Sequence, residues 1–243
     1  MKGHVYLVGA GPGDTGLMTV KGLELLRSAE VVVYDALASH SLLDECPDAE
    51  LVDVGKRSCN HKKTQAEINE ILVEYGRQGK RVVRLKGGDP FLFGRGAEEA
   101  LALREAGIEV TVVPGVSSSI SVPETCGIPV TRRGVASSVT IVTGHSMDGG
   151  EVDWKALAKT GSTLVILMGM SNAGWISAEL IEGGLSADTP AAILTDGTRD
   201  TGRTETATLG TLESTILEKG LEAPGIMVIG DVVKERDRLG DLG

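Results

Sequence analysis

The sequence predicts an α/β protein of two domains, the first built on a mostly parallel sheet and the second on a mixed one. Three observations lead there. Short apolar runs alternate with segments of helical periodicity through the first half of the chain. Glycine is abundant, 33 of 243 residues, while aromatic residues make up only 3%, which suits many close turns between buried strands. After Pro114 the texture changes, and a later stretch alternates polar and apolar residues as a half-solvated antiparallel strand does.

Taken in order, HVYLVG (4–9) and EVVVY (30–34) are apolar runs suited to buried parallel strands, with Leu17, Val20, Leu23 and Leu26 at helical spacing between them. ELVDV (50–54) reads as a third strand. TQAEINEILVEYGRQG then opens with Thr64 and Glu67 placed as a capping box and carries Ile68, Ile71, Leu72 and Tyr75 on one face. RVVRL (81–85) is a strand, GAEEALALREAG (96–107) a helix, and EVTVVPG (109–115) a strand ended by Pro114. The expected boundary falls there, giving domains 1–114 and 115–243. In the second, a Ser-rich helical segment precedes strands at 138–143, 162–168 and 189–195, the alternating stretch 203–209, and a closing GIMVIGDVV.

Composition narrows the function. A net charge of −10 with so few aromatics argues against nucleic-acid binding. Three scattered cysteines without a C-x-x-C argue against a disulfide framework or zinc site and for a reducing compartment. No stretch approaches the ~18 uninterrupted apolar residues of a membrane span, and the N-terminus has no leader-like region. A cytoplasmic enzyme without a metal is expected.

Two glycine-rich turns carry the chemistry. VGAGPGDTG (8–16) fits neither common phosphate-binding pattern. A dinucleotide fingerprint finds its first two glycines in Gly9 and Gly11 but meets Asp14 at the third position, and a P-loop would need Lys and Ser or Thr where Leu17 and Met18 stand. Pro12 removes a backbone donor, and Asp14 can cap the next helix while repelling a phosphate. The turn suits close backbone approach to something other than a phosphate, or is an ordinary βα turn. RLKGGDPFLFGRG (84–96) is the second turn, again at a strand's carboxyl end, where ligands of open parallel sheets bind. Gly87 and Gly88 permit close approach, and Pro90 holds Asp89 extended. Asp35 ends the second strand, where the acid of a dinucleotide enzyme would hold a ribose hydroxyl.

VGAGPGD, YD, VGKR, RLKGGDPFLFGRG, PGV, GIPVTRRG and VTGH, in that order from Val5 to about Val233, resemble the tetrapyrrole (precorrin) methylases, and within them the group acting on uroporphyrinogen III. The resemblance implies a tetrapyrrole methylase fold, two α/β domains with S-adenosylmethionine (SAM) in the cleft between them, and a homodimer. It implies cofactor contacts at Pro12, Gly87, Gly88, Asp89, Leu92, Ser117, Ser118, Met168 and Gly197. Asp35 matches a proposed proton acceptor and Lys56 a proposed donor. The implied substrate carries eight carboxylates, for which Arg57, Arg84, Lys86, Arg95 and Arg132 are the expected partners, arginine being suited to bidentate carboxylate contacts.

The implied reaction is methylation of uroporphyrinogen III at C2 and C7 to precorrin-2, for siroheme and cobalamin synthesis, without a fused dehydrogenase or synthase domain. A sibling acting on a later precorrin is the alternative, and a nicotinamide (NAD) oxidoreductase the alternative of a different class. The chain departs from the family pattern at Ser117-Ser118-Ser119, at Thr125-Cys126, at Arg132 and in HKKTQ.

Overall fold

The structure, a computed structural model, describes residues 3–35, 40–55, 63–145 and 152–243. The chain forms two compact units, Met1–Ser117 and Ser118–Gly243.

The first unit is a five-stranded, all-parallel sheet. Its strands are β1 (His4–Gly9), β2 (Val31–Tyr34), β3 (Glu50–Asp53), β4 (Arg81–Lys86) and β5 (Glu109–Val113), in the spatial order β3-β2-β4-β1-β5. Helices α1 (Val20–Arg27), α2 (Gln65–Arg77) and α3 (Gly96–Glu105) make the crossovers that parallel strands require. Both faces of the sheet are covered. Val8, Val32, Val83 and Leu85 pack with Leu26 of α1, whereas Val5, Leu7, Val33 and Val82 pack with Leu72 of α2 and Leu103 of α3. Alternation along β4 therefore sends Val83 and Leu85 to one layer and Val82, Arg84 and Lys86 to the other.

Local chemistry sets the helix ends. Thr64 caps α2 reciprocally with Glu67: the Thr64 N–H donates to Glu67 Oε2 at 2.6 Å and the Glu67 N–H to Thr64 Oγ1 at 3.3 Å. Asp14 caps a short 3-10 turn at Thr15–Leu17 through the Gly16 N–H, at 2.8 Å, while α1 begins later and is capped by Thr19.

The second unit is a mixed sheet of β6 (Val139–Thr143), β7 (Thr163–Leu167), β8 (Pro190–Thr195), β9 (Arg203–Thr208) and β10 (Gly225–Ile229), ordered β6-β7-β10-β8-β9. β6 and β7 are parallel, and β10 lies antiparallel to both β7 and β8. It follows that β6, β7 and β8 all end on the same edge. The alternating stretch at 203–208 is the antiparallel edge strand β9. Around this sheet lie α4 (Ser118–Thr125), α5 (Trp154–Leu157), α6 (Ala173–Glu182), α7 (Leu212–Glu218) and α8 (Arg236–Leu239). One layer packs Ile176, Leu180 and Leu212 on Leu164, Ile166 and Met227; the other packs Val122, Ile128 and Val232 on Val165, Leu194 and Val228. Among the described residues no helix is long and apolar enough to cross a membrane.

Candidate active site

In a parallel sheet every strand ends on the same edge, and in the first unit that edge gathers the residues singled out by sequence. The turn after β1 holds Pro12, Asp35 directly follows β2, the turn after β4 holds Gly87, Gly88, Asp89 and Leu92, and the segment after β5 leads to Ser117. The two glycine turns are bonded backbone to backbone. The Gly88 N–H donates to the Gly11 carbonyl at 2.7 Å, and the Gly11 N–H donates back at 3.3 Å. A third segment presses on them, since a Cβ on Gly9 would stand 2.5 Å from the Gly115 Cα and 2.6 Å from the Gly88 carbonyl oxygen. Only glycine fits that contact. Gly88 itself has φ +64°, and nothing lies within 4 Å of where its Cβ would be. Its open side is a place where a ligand can meet bare backbone.

Asp89 organises this loop. Its Oδ1 accepts from the Phe91 N–H at 2.9 Å and the Leu92 N–H at 3.2 Å, and its Oδ2 accepts from the Gly115 N–H at 3.1 Å. The carboxylate thus ties the turn after β4 to the segment after β5.

Below the edge lies a buried group of charges. Arg84 is 3% exposed, Lys86 4% and Glu99, from the first turn of α3, 0%. Glu99 Oε1 accepts from Lys86 Nζ at 3.0 Å, Arg84 Nε at 3.2 Å and Gln65 Nε2 at 3.3 Å. Arg84 also donates from its other nitrogens, to Asp35 Oδ2 at 3.1 Å and to the Leu85 carbonyl at 3.0 Å. Two cations and two anions balance, as burial demands. Burial, and then the neighbouring Arg84 guanidinium, pull the Lys86 ammonium below its usual range, against the opposing pull of Glu99 and Asp35.

Arg84 and Lys86, expected as partners of substrate carboxylates, lie buried beneath the edge rather than on the surface. On a strand covered by α2 and α3, alternation turns both inward, where Lys86 donates to Glu99 and Arg84 to Glu99, Asp35 and the Leu85 carbonyl. Sequence reasoning passed over Glu99 and Gln65. The available signal was RVVRLK itself, because two cations two residues apart on a buried parallel strand require a buried anion.

Arg95 does stay exposed. It sits at φ +57° before α3 and makes a two-pronged contact with Glu98, at 2.8 and 2.7 Å, which holds the Glu98 carboxyl below its usual range. Lys56 and Arg57 lie outside the described residues.

In the second unit, Ser118 opens α4, and Arg132 pairs with Glu235 at 3.0 Å. Met168 follows β7, half-exposed with φ +55°. Gly197 follows β8 on the same edge of that sheet, between Asp196 and Thr198, both left-handed, and is packed so tightly on Val122 that a Cβ would come within 2.2 Å of its Cγ1. Among the described residues, the non-glycine positions with left-handed backbone are Phe93, Arg95, Met168, Asp196 and Thr198. All lie in loops at these two strand-end edges. Strained backbone gathers where a fold shapes a site rather than a core. Among the described residues no group of three or more His, Cys, Asp or Glu could hold a metal ion.

Comparison with known proteins gives this edge a context. A profile of the Tetrapyrrole (Corrin/Porphyrin) Methylases matches residues 4–213. A Methanosarcina barkeri protein named S-adenosyl-L-methionine-dependent uroporphyrinogen III methyltransferase is 49% identical over 98% of this chain and 95% of its own length. The siroheme synthase of Thiobacillus denitrificans is 47% identical over 98% of this chain, which spans 50% of that longer protein. Among solved structures, the Thermus thermophilus uroporphyrin-III C-methyltransferase complexed with S-adenosyl homocysteine superposes with a TM-score of 0.83 at 39% identity, covering 96% of this chain and 94% of that one. Profile, sequence identity and fold agree: this chain belongs to the tetrapyrrole (corrin/porphyrin) methylase family.

Proposed function

We propose that this protein is a SAM-dependent methyltransferase that methylates uroporphyrinogen III at C2 and C7, giving precorrin-2 for siroheme and cobalamin synthesis. The observation that carries the reading is the pair of glycine turns bonded at Gly11 and Gly88, a backbone-lined edge with no lysine in the first turn, in a chain 49% identical to a uroporphyrinogen III methyltransferase. Such an edge fits a ligand that brings adenosine and an amino acid but no phosphate. The bare backbone of Gly88 and the loop held by Asp89 are the proposed cofactor contacts, together with Pro12, Gly87, Leu92, Ser117, Ser118, Met168 and Gly197.

When bound, SAM supplies a methyl group on a cationic sulfur, already activated toward an electron-rich pyrrole carbon. The protein's tasks are to hold that carbon in line, which supplies much of the acceleration, and to take up the proton that another position of the macrocycle gives up as the new carbon–carbon bond forms, since the methylated carbon carries a side chain and no hydrogen. Asp35 is the proposed acceptor, oriented by Arg84; Lys56 is the proposed donor. Arg95 and Arg132, with Arg57, are the proposed partners of substrate carboxylates. The assembly proposed is a homodimer acting in the cytoplasm.

The experiment is calorimetry with S-adenosylhomocysteine (SAH) and with NAD, followed by incubation with SAM and uroporphyrinogen III and a product mass. The expected outcome is SAH binding without NAD binding, and a product heavier by two CH2 units, each added methyl being offset by one lost proton. Binding of NAD alone would return the chain to a dinucleotide enzyme. Turnover only of a later precorrin would make it a sibling methylase.

A further inference from the structure

Glu99 is the most buried ionisable side chain beneath the candidate site. Its Oε1 gathers Lys86, Arg84 and Gln65, while its Oε2 is buried without a hydrogen-bond partner. A carboxylate is not kept at 0% exposure without consequence. Here it fixes the guanidinium of Arg84 from the Nε side and leaves another nitrogen, Nη2, for Asp35. The guanidinium is planar and rigid, so its orientation at Glu99 sets where its far edge meets Asp35. Lys86, from the same strand face, donates to the same Oε1, so both cations meet one oxygen of the carboxylate.

We infer that Glu99 is a positioning residue for methyl transfer, holding Arg84 so that Arg84 in turn orients the Asp35 carboxylate at the edge of the sheet. The inference rests on the reading of Asp35 as the proton acceptor. Glu99 touches neither substrate nor cofactor in this scheme; it acts through Arg84. Gln65 contributes from α2, donating to both Glu99 and Asn69. Three elements, β4, α2 and α3, thereby converge on the geometry of one residue at the end of β2.

The test is a double-mutant cycle on the full chain with Glu99→Gln, Asp35→Asn and the double variant, each examined for SAH affinity, melting temperature and single-turnover methyl transfer to uroporphyrinogen III. Glu99→Gln should bind SAH as the parent does but transfer methyl about 10²-fold more slowly, the order of loss from misplacing a reacting group by an ångström. The double variant should be no slower than Asp35→Asn, because both changes disable the same proton transfer. A merely structural Glu99 would lower the melting temperature and slow the double variant by the product of the two single effects; that result overturns the inference. Parental transfer by Glu99→Gln beside a slow Asp35→Asn would also overturn it, leaving Asp35 as acceptor. A parental rate for Asp35→Asn would instead remove the acceptor reading, and the inference with it. Should Glu99→Gln not fold, Glu99→Asp keeps the charge and withdraws it by one methylene: slowed transfer with intact SAH binding supports the inference, and a parental rate overturns it.

Discussion

Replacing Asp89 by alanine removes three hydrogen bonds at once and tests whether this carboxylate holds together the loop after β4, the proposed cofactor loop. The bonds run from the N–H groups of Phe91, Leu92 and Gly115, at 2.9, 3.2 and 3.1 Å. The first is exposed, so water replaces it at little cost. The other two are part-buried, and each links the turn to itself or to the segment after β5. A hydrogen bond to a charged group contributes about 1.5–3 kcal/mol when sheltered, and about half of that at a half-exposed site. The closed loop should therefore lose about 2 kcal/mol, equivalent to roughly 30-fold in affinity for a ligand that needs it closed. Titration calorimetry with SAH reads the affinity. Limited trypsin digestion reads the loop directly, since Arg95 stands exposed at its end, and cleavage there should accelerate. If the variant binds SAH within a factor of two of the parent and is cut no faster, Asp89 does not organise the loop and the reasoning fails.

Two further outcomes are expected. Gly9→Ala places a methyl group against backbone of Gly115 and Gly88 that no side-chain rotation can relieve. Its denaturant midpoint should fall by the equivalent of ~1–3 kcal/mol or more; an unchanged midpoint at unchanged slope would refute the close contact. Away from the site, Tyr75 donates a hydrogen bond to Glu50, whose other oxygen takes Lys80 at 2.9 Å. That bond, with some burial, pushes the Tyr75 hydroxyl up to about 12. A raised folded pKa means the contribution is complete below the unfolded value of about 10 and is lost as pH rises towards 12. Absorbance titration should show one late tyrosine, absent in Tyr75→Phe, and the two proteins should differ in stability at pH 9 but converge above pH 12.

Much of the fold is legible in the sequence because it follows from short-range rules. The apolar runs of the first half needed only burial on both faces to become parallel strands, and the Thr64–Glu67 box needed only its own first turn to become the start of α2. The strand ends of the second half were equally readable, but the helices packed between them were not set out, since their apolar faces are short and broken by glycine and serine. The phosphate-free character of the first turn was readable too, because it depends on which residues are missing from a local pattern.

What only the tertiary structure decided is the use of each charged side chain. Period-two alternation places Val82, Arg84 and Lys86 on one face of β4, but it does not say what covers that face. The cover is α3, which returns Glu99 over the strand after a loop and a turn of helix, and this converts two apparent surface cations into a buried cluster. The Asp89 carboxylate likewise reads as a group aimed at a ligand until Gly115, from the neighbouring segment, supplies its partner. Sequence by itself determined the strands, the capped helix and the ligand class that the turns suit. Partners distant along the chain determined which charges face solvent and which are spent inside, because pairing across a crossover depends on three-dimensional packing that no local spacing encodes.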